Sequence, residues 1–178
     1  MSTLKANTLL DTSGNPLSRV LQIVSATKTE PASNSTGSAQ STYWNYNDSS
    51  LRCQITASSA SSKFYIFGQV TMTANCAIFV VVRDNGSDVT GMTATNAGSA
   101  RVPCHAGVYS SSDTQALQTA CIAGMITAGD TNQHTFHYAF KHSSGSTQTL
   151  FMNRSQNDGN GSDRSRTCST ITVMEIAA

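Results

Sequence analysis

Residues 63–74, with the sequence KFYIFGQVTMTA, decide the fold class. The apolar residues of one parity are Phe64, Ile66, Val70 and Met72. Polar residues, among them Gln69 and Thr71, alternate with them along the second half of the stretch. A repeat of two residues is typical of a β-strand that packs one face on a core and turns the other towards solvent. The stretch therefore predicts an amphipathic strand.

The same alternation recurs along the chain, and no stretch has helical spacing. Further strands are predicted at residues 20–25, 51–57, 76–82, 121–127, 134–142, 147–154 and 169–176, and a less regular one at residues 102–109. Ser and Thr account for 49 of the 178 residues, which favours strands and turns. About eight short strands joined by turns predict an all-β fold, an antiparallel β-sandwich of the jelly-roll kind.

Residues 76–82, CAIFVVV, are apolar at both parities. A strand that is apolar on both faces is covered twice, and in a one-domain sandwich the second cover is most simply another subunit. Residues 170–176 also carry apolar groups at both parities. The residues predicted to form a subunit interface are Ile78, Val80, Val82, Val173 and Ile176.

Charge, hydropathy and cysteine spacing exclude several classes of protein. The net charge is +1 and only 12% of residues are charged, so the clustered basic side chains that bind nucleic acid are missing. The longest apolar run has seven residues, too few for membrane insertion. Residues 1–16 have no secretory apolar segment, so we expect synthesis in a cytoplasm. The five cysteines are widely spaced and predict reduced, structural thiols without a metal site.

Motifs of catalysis and of cofactor binding are missing from the sequence. There is no GxSxG, no HExxH and no glycine-rich phosphate loop, so we expect no catalytic residues and no cofactor. The loop at residues 158–163 resembles a calcium loop, but Asp163 stands where glycine is needed. His134 and His137 fall on opposite faces of a strand and cannot share a metal. We expect the histidines to lie at the surface or in an interface.

Two segments lie apart from the strand pattern. Residues 1–19 have too few apolar side chains to fold alone, so we expect this arm to attach to another protein through Leu4, Leu9 and Leu10, with the sandwich at residues 20–178. The polar stretch at residues 27–50 contains Tyr43, Trp44 and Tyr46, which are candidates for stacking on host glycans. The alternative is a loop fixed to the core by its one Trp.

Three segments resemble the structural proteins of tailed bacteriophages that infect marine bacteria and cyanobacteria. They are MSTLKANTLLDTSGNP at residues 1–16, ITASSASSKFYIFGQV at residues 55–70 and MNRSQNDGNGSDRSRTCSTITVMEIA at residues 152–177. The last of the three is the most specific. The resemblance implies an all-β, tail-fibre-like part of a virion that assembles as a homotrimer and performs no catalysis.

The sequence thus predicts a virion structural protein that is made in the host cytoplasm. Its arm would bind other virion proteins, and its exposed loops would contact host surface glycans. One alternative is a capsid decoration or cement protein without host contact. Another is a lectin-like, glycan-binding module outside any virion. A fibre depolymerase is disfavoured, because such enzymes need paired carboxylates and a longer solenoid.

Overall fold

A computed structural model describes most of the chain. The described residues are 19–36, 44–46, 49–93, 101–109 and 116–178, with the backbone alone for residues 44–46. The proposed attachment residues Leu4, Leu9 and Leu10 lie outside these ranges, as does Tyr43.

Twelve strands, numbered in chain order, make up the secondary structure of the described residues, together with two single turns of 3₁₀ helix at Ser49–Leu51 and Thr90–Met92. The strands are β1 Val20–Lys28, β2 Ala32–Thr36, β3 Trp44–Tyr46, β4 Arg52–Thr56, β5 Lys63–Thr73, β6 Ala77–Asp84, β7 Ser87–Asp88, β8 Ala106–Tyr109, β9 Gln118–Thr127, β10 Gln133–His142, β11 Gln148–Met152 and β12 Ser169–Ile176.

Two antiparallel sheets pack face to face. The first has the order β1-β12-β5-β9, and β11 and β2 extend it beyond the end of β5. The second has the order β4-β10-β6-β8, with β3 added on β10 and β7 on β6. When the eight principal strands are numbered along the chain, the sheets read 1-8-3-6 and 2-7-4-5, the winding of a jelly roll. The predicted antiparallel sandwich is confirmed, and the four short strands are additions to it.

The core lies between the two sheets and contains the residues that the alternation predicts. Phe64, Ile66 and Met72 of β5 face Phe136 and Phe140 of β10, all of them fully or almost fully buried. Burial of such side chains is the main favourable contribution to folding. The alternating pattern in β5 and β10 therefore sets which face of each sheet turns inward.

One close approach between the sheets depends on a glycine. Tyr138 of β10 reaches across the core, and its hydroxyl donates to the carbonyl oxygen of Thr170 at 2.8 Å. A Cβ atom at Gly68 would lie 2.7 Å from that hydroxyl and close against the same carbonyl. Position 68 must therefore lack a side chain for the hydroxyl to make this bond.

The predicted subunit interface requires a correction. Ile78, Val80, Val82 and Val173 are not at an interface, because all four side chains are fully buried in the chain's own core. Val81, on the opposite face of β6, is also fully buried. The doubly apolar strand therefore needs no second subunit to cover it. Ile176 alone of the five lies on an outer face, where it is half-buried.

Candidate functional site

The two ends of the sandwich carry different structures. Lys63 at the start of β5 pairs with Thr127, whereas Thr73 at its end pairs with Phe151. Because a strand rises about 3.3 Å per residue, these ends lie roughly 33 Å apart. We call the first the cleft end and the second the loop end.

A cleft of about 520 Å³ opens at the cleft end, between the β6–β7 hairpin and the end of β9. Its lining residues are Asp84, Ser87, Asp88, Val89, Thr90, Gly91, Met125, Ile126, Thr127 and Ala128. The volume falls within the range of small-ligand sites. The lining combines two carboxylates and three hydroxyls with an apolar wall, so it offers both hydrogen bonds and van der Waals contact.

Asp84 is held in position by its neighbours on β10. Its Oδ2 lies 2.6 Å from Nδ1 of His134, and its Oδ1 accepts a hydrogen bond from the Thr135 backbone amide at 3.1 Å. His134 is itself fixed by Phe64, edge-on at 5.0 Å, and by Phe136, stacked at 5.9 Å. The carboxylate therefore has one orientation in the cleft wall.

The second carboxylate belongs to a tight hairpin that the Asn-Gly pair predicts. Asn85 and Gly86 have φ angles of 48° and 87°, which match a two-residue turn of type I′. The turn brings Asp88 against β6, where its Oδ1 accepts a hydrogen bond from Nε of Arg83 at 2.6 Å. Asp88 is thus oriented by the strand that also carries Asp84.

His105 fills a gap in the edge of the second sheet. Its Nδ1 accepts a hydrogen bond from the Val82 amide at 2.6 Å, and Nε2 lies 3.1 Å from the Val89 carbonyl oxygen. The ring therefore takes the place of a strand between β8 and β7 and holds Val89 at the cleft. These two contacts require the neutral ring with its proton on Nε2. Burial lowers the pKa of His105 and favours that form.

The expectation of surface or interface histidines, made for His134, His137 and His142, is wrong for all three. His134, His137 and His142 are almost fully buried, because they lie in β10, the strand at the centre of the second sheet. Burial also lowers the pKa of His137. No group of three or more His, Cys, Asp or Glu residues among the described residues could hold a metal ion.

A loop at residues 153–168 leaves the first sheet after β11 and returns as β12. Asn153 clamps its base: the side-chain amide donates to the Lys28 carbonyl oxygen at 2.9 Å, and Oδ1 accepts from the Ser169 hydroxyl at 2.6 Å. Further out, Asp158 accepts hydrogen bonds from Arg154 and Arg166, and the first of these is the main cause of its lowered pKa. The carboxylate that a calcium loop would use is therefore bound to guanidinium groups.

The outer face of the first sheet is apolar at the cleft end. The strand registers place Met125, Tyr65, Met174 and Ile23 in one row across four strands. Ile23 is 57% exposed and Met125 52% exposed. We call the following residues the apolar face: Val20, Leu21, Ile23, Tyr65, Phe67, Ala123, Met125, Met174 and Ile176. Across β1, β12, β5 and β9, all of them described, Lys63 is the one charged residue that points outward.

Sequence reasoning found only part of these surfaces. Ile176 belongs to the apolar face, whereas the backbone of Trp44 and Tyr46 forms β3 on the edge of β10 and their side chains are not described. The cleft was missed, although one signal was present. Asp84 continues the inward parity of Ile78, Val80 and Val82, so a charged side chain there must turn into the end of the sandwich.

No protein-family model and no curated protein matches the chain. None of the described residues forms a helix that is long and apolar enough to cross a lipid bilayer.

Proposed function

We propose that this protein is a non-enzymatic structural subunit of a bacteriophage virion. In this proposal the jelly roll assembles as a homotrimer through the apolar face, and residues 1–19 attach it to other virion proteins. The observation that supports the assembly is the apolar face itself, and the virion setting follows from the resemblance of the three sequence segments. Four adjacent strands present aromatic, aliphatic and methionine side chains to solvent with a single charge among them.

The composition of the apolar face supports association over plain exposure to water. Aromatic residues and methionine are enriched in the buried centres of protein interfaces, where charged residues are depleted. Tyr65 and Phe67 stack on each other at 5.2 Å and so present one continuous aromatic surface. Apolar patches of several strands on a soluble protein usually mark an interaction site.

A second copy of the chain fits this face better than a charged partner. The face offers no carboxylate and one ammonium group, that of Lys63, whose Nζ already donates to the Thr127 hydroxyl at 2.7 Å. Copies of the chain can therefore pack together at this face with little charge repulsion. The whole outer face of the first sheet, four strands by at most eleven residues, covers about 19 by 36 Å, and the apolar face is the half of it at the cleft end. An interface of roughly 800 Å² per partner must therefore include outward residues beyond the apolar face.

Sedimentation of the purified protein tests the assembly. We expect a trimer for the natural sequence and a monomer for Ile23→Asp, because association would bury the new carboxylate unpaired. Gln54→Asp is the matched control, since it adds the same charge at an exposed site on the second sheet. A monomer near 18.8 kDa for the natural chain would overturn the assembly proposal.

Attachment is tested with a chain that starts at Arg19, whose carbonyl oxygen still accepts the hydrogen bond from Ala177. We expect this truncated protein to fold, to form the trimer and to fail to enter virus particles. Mass analysis of purified particles gives the copy number of the full chain. The absence of the full chain from particles would overturn the virion proposal, and incorporation of the truncated chain would overturn the role of the arm.

A further inference from the structure

We propose that the cleft between the β6–β7 hairpin and β9 binds a saccharide that is neutral or carries an amino group. The inference rests on the proposed function for its biological setting, because a subunit on the outside of a particle meets host glycans. Its chemistry stands on the cleft alone. It places the ligand at residues 84, 87–91 and 125–128.

The polar groups of the cleft suit a ligand with many hydroxyl groups. An ionised carboxylate only accepts hydrogen bonds, and each of its oxygens has more than one lone pair. Asp84 accepts one bond on each oxygen from β10, which fixes its plane and leaves further lone pairs at the cleft. Asp88 uses Oδ1 for Arg83, so its Oδ2 can accept from a sugar hydroxyl.

The cleft also offers an apolar surface for the face of a sugar ring. A pyranose carries C–H groups on its faces and packs them against apolar side chains. Ile126 points inward and supplies such a surface, whereas Met125 and Thr127 line the cleft from the opposite face of β9. Gly91 lies close to this surface, because a Cβ there would come within 3.2 Å of Ile126. The mixed lining therefore matches the two kinds of surface that a sugar presents.

Charge selects among sugars. Two carboxylates line the cleft: Asp88 is bonded to Arg83 and Asp84 to His134, while Lys63 donates to the Thr127 hydroxyl in the cleft lining. A uronic acid or a sulfated sugar would bring a third negative charge and be repelled. A protonated hexosamine would gain a charge-assisted hydrogen bond. We therefore expect the order hexosamine, then neutral hexose, with glucuronate weakest.

A titration of the ¹⁵N-labelled protein followed by NMR tests this inference. The probes are glucosamine, methyl glucoside, methyl galactoside and glucuronate, each added in the absence and presence of calcium. We expect shifts of the amides of residues 87–91 and 126–128, in the order of affinity given above. No shift with any probe, shifts confined to other residues, or binding only with calcium would overturn the proposal.

Two cleft variants and one control variant test whether the saccharide binds in the cleft. Asp88→Asn and Ile126→Ala should each weaken binding, the first about tenfold or more, because a hydrogen bond to a charged group is lost. Asp163→Asn, an exposed aspartate at the loop end, should leave binding unchanged. Asp88 is bonded only at the surface, so its variant should keep the wild-type melting temperature. Unchanged affinity in both cleft variants would overturn the site.

The assembly proposal and the saccharide-binding proposal can be overturned independently. Ile23→Asp changes the apolar face, so a monomer that still binds the saccharide separates the two proposals. A trimer that enters particles but shows no saccharide binding would overturn the cleft assignment and leave the virion proposal standing.

Discussion

The two outer faces of the sandwich carry similar apolar side chains but differ in exposure. On the second sheet, Val81 and Ala139 point away from the core and are nevertheless fully buried. On the first sheet, Ile23 and Met125 also point away from the core, on the edge strands β1 and β9, and are more than half exposed. β6, which is apolar at both parities, is thus already covered on both faces. The exposed apolar surface lies on the first sheet, whose strands look amphipathic in the sequence. Hydrophobicity alone does not show which surface is left for a partner.

The largest effect should come from one charge placed on each face in turn. We expect Val81→Asp to lower the free energy of unfolding by about 3–5 kcal/mol, because it leaves a buried carboxylate without a partner. Ile23→Asp, measured by urea denaturation of the monomer, should change it by no more than about 0.5 kcal/mol. Equal losses for the two variants would contradict the difference between the faces.

Acid should weaken the fold through two histidines of the second sheet. Burial lowers the pKa of His105 and of His137 below the ordinary value of 6.5, so the unfolded chain takes up these protons first. Stability is then complete above about pH 6.5 and falls as the pH drops through the pKa values of the folded state. We expect the melting temperature to be several degrees lower at about pH 5 than at about pH 7.5.

His105→Asn separates the structural role of this side chain, which accepts the Val82 amide hydrogen bond, from its protonation. The Asn amide oxygen can accept the Val82 hydrogen bond in place of Nδ1, and it does not titrate. The variant should therefore lose part of the pH dependence while it also loses the bond to the Val89 carbonyl oxygen. A pH profile identical to that of the natural protein would show that His105 does not contribute to it.

Thiol labelling compares the exposed outer face of the first sheet with the buried core at single cysteines, and its effect is smaller. Cys121 is exposed on β9 of the first sheet, whereas Cys53 is buried between the sheets, where burial raises its pKa to about 11. A short treatment with iodoacetamide, followed by mass spectrometry, should modify Cys121 and leave Cys53 unmodified. Assembly through the first sheet should slow the reaction of Cys121. Equal rates at both cysteines would contradict the burial of Cys53.

The smallest effect is expected from reductant and chelator. All five cysteines are unpaired, so neither dithiothreitol nor EDTA should change the melting temperature by a measurable amount. A clear decrease with either reagent would show a covalent or metal link between the segments of the fold.

The strands could be predicted from the sequence because alternation carries the inward parity of each one. It fixed the core residues of β5 and β10 and both bounds of β12. Two short strands, β2 and β3, were not predicted, since five and three residues show no usable period, and β7 is only the second arm of the hairpin that the Asn-Gly pair predicts. Their pairing depends on the strands beside them, which is a property of the tertiary structure.

The buried carboxylate of Glu175 was not predicted from the sequence, although the alternating pattern contains a signal for it. Glu175 continues the inward parity of Ile171 and Val173 and is fully buried. Burial would raise the pKa of its carboxyl group, but hydrogen bonds from Gln22 and Ser58 outweigh this effect and hold it below the ordinary value. A charged residue at an inward position near a strand end thus predicts a closing contact. Its partners come from distant segments and cannot be found by spacing.

The hydrogen bonds of Asn153 fix the base of the arginine-rich loop at residues 153–168, so the loop can change without the strands. Its hydrogen bonds to the Lys28 carbonyl and to Ser169 tie both ends of the loop to the first sheet. Changes between residues 157 and 165 therefore need not reach the strands, and loop tips of this kind accept insertions. A foreign peptide placed between Asn160 and Gly161 would be displayed outward from the sheet.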